Sequence, residues 1–112
     1  MTLKDLMDKT GMRLLTKEAP LQREVTTGYS CDLLSFVMGR APADSAWVTV
    51  MGNVNAMAVA LLADVACVVL AEGAALDDDA KKKAEQNDIA VLWSEKPVFD
   101  AALDIHTRMA GA

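Results

Sequence analysis

Aromatic residues make up only 4% of this 112-residue chain, as two Trp, one Tyr and two Phe. The core must then be built from Ala, Val, Leu and Met, whose small side chains let layers approach closely but bury little area each. A lone domain made this way is marginally stable, and a partner subunit relieves it. Cysteine is equally scarce. Cys31 and Cys67 have no CxxC or zinc-finger spacing, which excludes a disulfide framework and fits reduced thiols in a cytoplasmic protein. The single histidine, His106, has no second nitrogen or thiolate at ligand spacing, so neither a metal centre nor a thiol–imidazole pair is expected. Positive charge is short as well. The net charge is −5, and the one basic run, Lys81-Lys82-Lys83, follows Asp77-Asp78-Asp79, which argues against non-specific nucleic-acid binding.

Long apolar runs are missing too. Ala56 to Leu70 contains Asp64 and falls short of the roughly 20 apolar residues a membrane span needs. The opening MTLKDLMDKTG alternates charge with apolar residues, so no secretory signal is expected. No GxxxxGK[ST] segment exists, which excludes a P-loop kinase, and no cofactor is expected.

What the chain does have is WVTVMGNVNAMAVALLADVACVVLAE, from Trp47 to Glu72. It reads as a strand (Trp47 to Met51), a Gly52-Asn53 turn, a helix (about Val54 to Asp64) and a strand (Ala66 to Ala71). That helix carries no charge before Asp64, so burial on more than one side is expected. Before this unit, Thr2 to Lys9 reads as an amphipathic helix with Leu3, Leu6 and Met7 inward and a Thr2/Asp5 capping box. A short strand at Met12 to Leu15 and an edge strand at Leu21 to Thr27 are expected next. Ser30 then opens a helix with Asp32 in its first turn, a Leu33, Leu34, Val37, Met38 stripe on the sheet, and Gly39 as its stop. After the central unit come a solvated helix (about Asp77 to Asn87), an apolar strand (Ile89 to Trp93) and a last helix (Pro97 to Met109). Phe99, Ala102, Leu103 and Met109 are expected on that helix's apolar face, shared by His106. Strands alternating with helices imply one α/β domain spanning residues 1–112, a layered sandwich with a mostly parallel central sheet flanked by helices.

Ligands of such sheets sit at the carboxyl ends of the strands, beside helix starts. Three stretches qualify. At Gly52-Asn53-Val54-Asn55, helix amides are placed to bind an anion, or Asn53 caps them itself. Tyr29-Ser30-Cys31-Asp32 lies at a second helix start, where a thiol is open to activation but has no base nearby. Gly73 supplies the third, as a close approach for a ligand or a plain turn. Tyr29, Ser30, Gly52, Asn53, Asn55 and Gly73 are therefore the candidate ligand-binding residues, for a nucleotide or another anionic small molecule. Trp47 and Trp93 each touch a strand end, open to stacking on a ligand base, though rim packing or an interface is the expected role. No catalytic set is visible, and a homodimer closed over the small residues Ala56, Ala58, Ala60 and Ala63 is the expected partner state.

From Gly28 to His106 the chain resembles the DRTGG domain family, most of all its short stand-alone members from anaerobic bacteria. The resemblance rests on the GYSCDLLS block, the NAMAVA block from Asn55 to Ala60, the glycine loop after the second core strand, and Val98-Phe99 in the last helix. The chain departs from the family at its Thr-Gly-Gly, which here reads Glu72-Gly73-Ala74. Such domains accompany the kinase domain of HPr kinase, CBS-containing family II pyrophosphatases and some phosphotransacetylases. The resemblance implies a regulatory or oligomerisation module of α/β fold, about residues 28–110, without kinase activity of its own.

Overall fold

A computed structural model describes residues 1–17 and 19–111. Its elements are α1 (Leu3–Thr10), β1 (Arg13–Leu14), β2 (Thr27–Ser30), α2 (Leu34–Arg40), β3 (Ser45–Thr49), α3 (Val54–Ala63), β4 (Cys67–Leu70), α4 (Asp78–Gln86), β5 (Val91–Trp93) and α5 (Val98–Ala110). The sheet order is β1-β5-β4-β3-β2, with β2 to β5 parallel and β1 antiparallel on the β5 edge. Three layers result. Trp47, Val68, Leu70 and Val91 point to the face covered by α2, α3 and α4. Ala46, Val48, Cys67, Val69 and Leu92 point to the face covered by α1 and α5. β3 and β4 are buried throughout, as an interior parallel sheet demands.

The α/β fold and most of its elements follow the sequence reading. Thr2 and Asp5 form the capping box of α1, and Gly11 closes it in a left-handed conformation. Asn53 caps α3. Two elements differ. The edge strand expected at Leu21 to Thr27 lies later, at β2. Residues 21–25 instead wrap the start of α1, where Leu3 and Lys4 donate to the carbonyls of Arg23 and Leu21. Those amides have no partner within the helix, so serving them outcompetes sheet pairing there. Gly28, Tyr29 and Ser30, expected to lead into a helix, pair in parallel with Ala46, Trp47 and Val48. α2 accordingly starts later, and Gly39 lies inside it instead of ending it.

Two helix faces are also rotated from expectation. On α5 the inward residues are Ala101 and Ile105, with Val98, Ala102 and Met109 packed beside them, while Phe99 is 73% exposed. On α2 only Val37 is fully buried, and Leu33 and Met38 are open to solvent. α3 packs on the sheet through Ala56, Met57, Val59 and Ala60 and lies between α2 and α4. Two of its small residues, Ala56 and Ala60, therefore serve packing within the chain. Trp47, expected at a rim, is completely buried, with its indole N–H donating to the Cys31 carbonyl at 2.9 Å.

Among the described residues, four that are not glycine hold a left-handed backbone: Asp44, Asp64, Glu72 and Asp88. Short acidic and amide side chains tolerate that region better than most. Asp44 and Asp64 lie at the amino edge of the sheet, where Arg23 donates to both carboxylates at 2.9 and 3.0 Å and to the Asp64 carbonyl at 2.8 Å.

Candidate functional site

At the opposite edge, near the carboxyl ends of β2 to β5, lie the candidate residues: Gly52, Asn53 and Gly73 in loops, Tyr29 and Ser30 on β2, and Asn55 in the first turn of α3. Gly52 is buried where the chain turns from β3 into α3, and a Cβ there would lie 2.1 Å from the Ala75 carbonyl oxygen. Only glycine allows the β4–α4 loop to lie on this backbone. The Gly52 carbonyl accepts from the Asp77 N–H at 2.8 Å, which fixes the contact. Asn53 Oδ1 accepts from the Ala56 N–H at 2.8 Å, the simple capping arrangement, and Asn55 points to solvent.

Gly73 follows Glu72 in a left-handed pair of residues. Their amides donate to the Ser94 and Lys96 carbonyls, and Glu72 Oε2 accepts from the Val98 N–H at 2.8 Å. The chain's own carboxylate thus caps α5. Tyr29 and Ser30 lie on β2, the outermost parallel strand. Partial burial and the neighbouring Cys31 push the Tyr29 phenol up. Asp32 is not in a helix. Its Oδ1 accepts from the Thr49 hydroxyl at 2.6 Å and the Val50 N–H at 3.1 Å, tying the ends of two strands together. The structure therefore brings Gly52, Asn53 and the Gly73 loop together, and leaves Tyr29 and Ser30 at the far end of the edge.

The open clefts along this edge gather around Trp93. One, of about 370 Å³, is lined by Arg13, Leu15, Gly73, Leu76, Lys81 and Trp93 among others, and a second of about 400 Å³ lies on the other side of Arg13. The Arg13 guanidinium sits 4.6 Å over the Trp93 ring. A larger surface depression of about 590 Å³ runs along α5, where Lys96 and Arg108 pair with Asp104. Arg13 and Lys81 escaped the sequence reading because each is an ordinary charged residue in its own segment. Only the antiparallel β1–β5 register brings Arg13 opposite Trp93.

The chemistry of the remaining groups is quiet. Burial pushes the Cys67 thiol up to about 12. Among the described residues no three His, Cys, Asp or Glu side chains are grouped to hold a metal ion. No described helix is long and apolar enough to cross a membrane.

No family model matches the sequence, and no curated protein matches it. Among solved structures, one of the CBS and DRTGG domains of the regulatory region of Clostridium perfringens pyrophosphatase, complexed with its activator diadenosine tetraphosphate, matches with a TM-score of 0.71. The fold is DRTGG-like. The match spans 96% of this chain and 46% of the pyrophosphatase chain, at 10% sequence identity. At that identity the likeness is one of fold. The DRTGG-like domain thus corresponds to about half of a regulatory region.

Proposed function

We propose that this DRTGG-like domain is a non-catalytic regulatory module that pairs with a second copy of itself through the outer face of α2 and α3. The observation that carries this reading is the apolar surface of two adjacent helices. Leu62 is 70% exposed, Leu33 54% and Leu61 45%, with Val54 and Phe36 also open. Several large apolar side chains exposed on two adjacent helices, with the Arg40 guanidinium over the Phe36 ring among them, suit an interaction site. No charged side chain lies on α3 before its Asp64 cap, so a two-fold partner meets no like-charge penalty along that helix. The likeness in fold to a pyrophosphatase regulatory region, seen with its activator bound, supports the regulatory assignment. Sedimentation equilibrium at micromolar concentration tests the pairing. The native chain is expected as a dimer and Leu62→Glu as a folded monomer. A native chain that sediments as a well-folded monomer ends the proposal.

A second reading is a sensor for a nucleotide or other anion at Gly52, Asn53 and Asn55, with Tyr29, Ser30 and Gly73 contributing. Its support is the shared carboxyl edge and the nucleotide held by the pyrophosphatase region. The packing of Ala75 on Gly52 and the Asn53 cap weigh against it.

A further inference from the structure

The four parallel strands are wound in one direction. The helices after β2, β3 and β4 all lie on one face, and the helix after β5 crosses to the other. The connections leaving β4 and β5 therefore diverge to opposite sides of the sheet. In open α/β sheets that divergence opens the crevice in which ligands bind. The stretch between the two loops nearest the sheet is closed from within, because the Glu72 and Gly73 amides bond to Lys96 and Ser94. The opening is displaced toward β1, into the cleft of about 370 Å³ beside Trp93.

We infer that this cleft is a binding site for a nucleoside phosphate, built by Arg13, Trp93, Lys81 and Asp78 around the Gly73 backbone. Three parts of such a ligand find matching chemistry there. The planar Arg13 guanidinium already lies over the Trp93 indole, which leaves its outer face as a platform for a flat ring. Arg13 and Lys81 have no carboxylate within ion-pair distance among the described residues, so both cations are open to a phosphate. Asp78 lines the same cleft and accepts hydrogen bonds from sugar hydroxyls. Gly73 keeps the wall flat. A Cβ there would come to 3.7 Å from the Trp93 ring, on a backbone already in the left-handed region. The volume falls within the range of small-molecule pockets, and Leu15 and Leu76 supply the apolar floor. The inference does not depend on self-association through α2 and α3.

The test is an amide and indole NMR titration of the whole chain with AMP, adenosine and inorganic phosphate in parallel. AMP is expected to move the Trp93 indole N–H and the Gly73 amide, while the buried Trp47 indole stays still. Adenosine and phosphate separately should bind at least about tenfold more weakly than AMP, since each engages half of the site. Arg13→Ala and Lys81→Ala, both surface changes, should each weaken AMP binding by about tenfold or more. Arg13→Lys keeps the charge but loses the planar stack and should fall between the two. Millimolar AMP that leaves Trp93 unmoved overturns the inference. So do shifts confined to Asn53 and Asn55, or an AMP affinity indifferent to both alanine variants.

Discussion

The two ends of the sheet treat their charges in opposite ways. At the amino end Arg23 is half-buried, and its donors go to Asp44 and Asp64, two side chains of the same chain. At the carboxyl end Arg13 rests on an indole with its donors unclaimed by any carboxylate among the described residues, and Lys81 stands across the cleft. An arginine that closes its bonds internally fixes strand entry. One that leaves them open is placed to act on something else. Beside the Asp32 and Glu72 side-chain bonds, the carboxyl end is also held by loops laid directly on one another at Gly52 and Gly73.

The sharpest way to break this contrast is with the two cysteines, one near each end. Cys67 opens β4 near Arg23, fully buried with its thiol pushed up to about 12, whereas Cys31 is half-buried beside the loops. Iodoacetamide should label Cys31 in the folded protein and leave Cys67 untouched until the chain unfolds. Because the native Cys67 thiol holds its proton to higher pH than an unfolded one, this contribution is complete below about pH 9. Stability should then fall as pH rises from there toward about 12, by up to about 1.4 kcal/mol per unit. Alkaline urea melts check this, and a flat profile would mean that Cys67 is less enclosed than the structure shows.

Gly52→Ala comes next. Its methyl group would collide with the Ala75 backbone, and a loss of about 3 kcal/mol in urea unfolding is expected as the β4–α4 loop is displaced. Smaller, and directly comparative, is the pair of arginine truncations. Arg23→Ala should cost about 1–2 kcal/mol, discounted for the partial exposure of its partners. Arg13→Ala should stay within about 0.5 kcal/mol. Equal losses would erase the distinction between the two ends. Smallest among the carboxyl-edge changes that cost stability is Asn53→Ala, at about 1 kcal/mol for one lost cap. A much larger loss there would show that Asn53 does more than cap α3.

The fold was legible wherever local signals agreed. The capping box at Thr2, the Asn53 cap and the apolar runs of β3, β4 and β5 each name their own element, and alternation of strand and helix gives the parallel sheet. The expected strand at Leu21 to Thr27 failed because its pattern was weak and a non-local demand, the unpaired amides of α1, decided its path. Gly28 reads as the approach to a helix because Ser30 and Asp32 follow it as cap and first-turn residues. Here it is the strand residue over which α5 passes, 3.6 Å from the Ile105 methyl group measured from an ideal Cβ. Phe99, Ala102 and Leu103 are spaced for one apolar face, but Val98, Ala101, Ala102 and Ile105 form a longer stripe at the same spacing, and that one is packed inward. The cleft at Trp93 was illegible for a simpler reason. Its residues come from β1, the β4–α4 loop, α4 and β5, and no local pattern joins segments so distant in sequence.

The left-handed turns at Asp44, Asp64, Glu72 and Asp88 bear on how such a fold endures while its letters change. What the backbone asks for at Asp88 is a torsion angle, and glycine or asparagine answers it as well as aspartate does. A sequence can therefore change its letters at such a turn while the bend stays the same. A likeness of fold at 10% identity asks for few matching side chains, because bends of this kind can be made by several residue types.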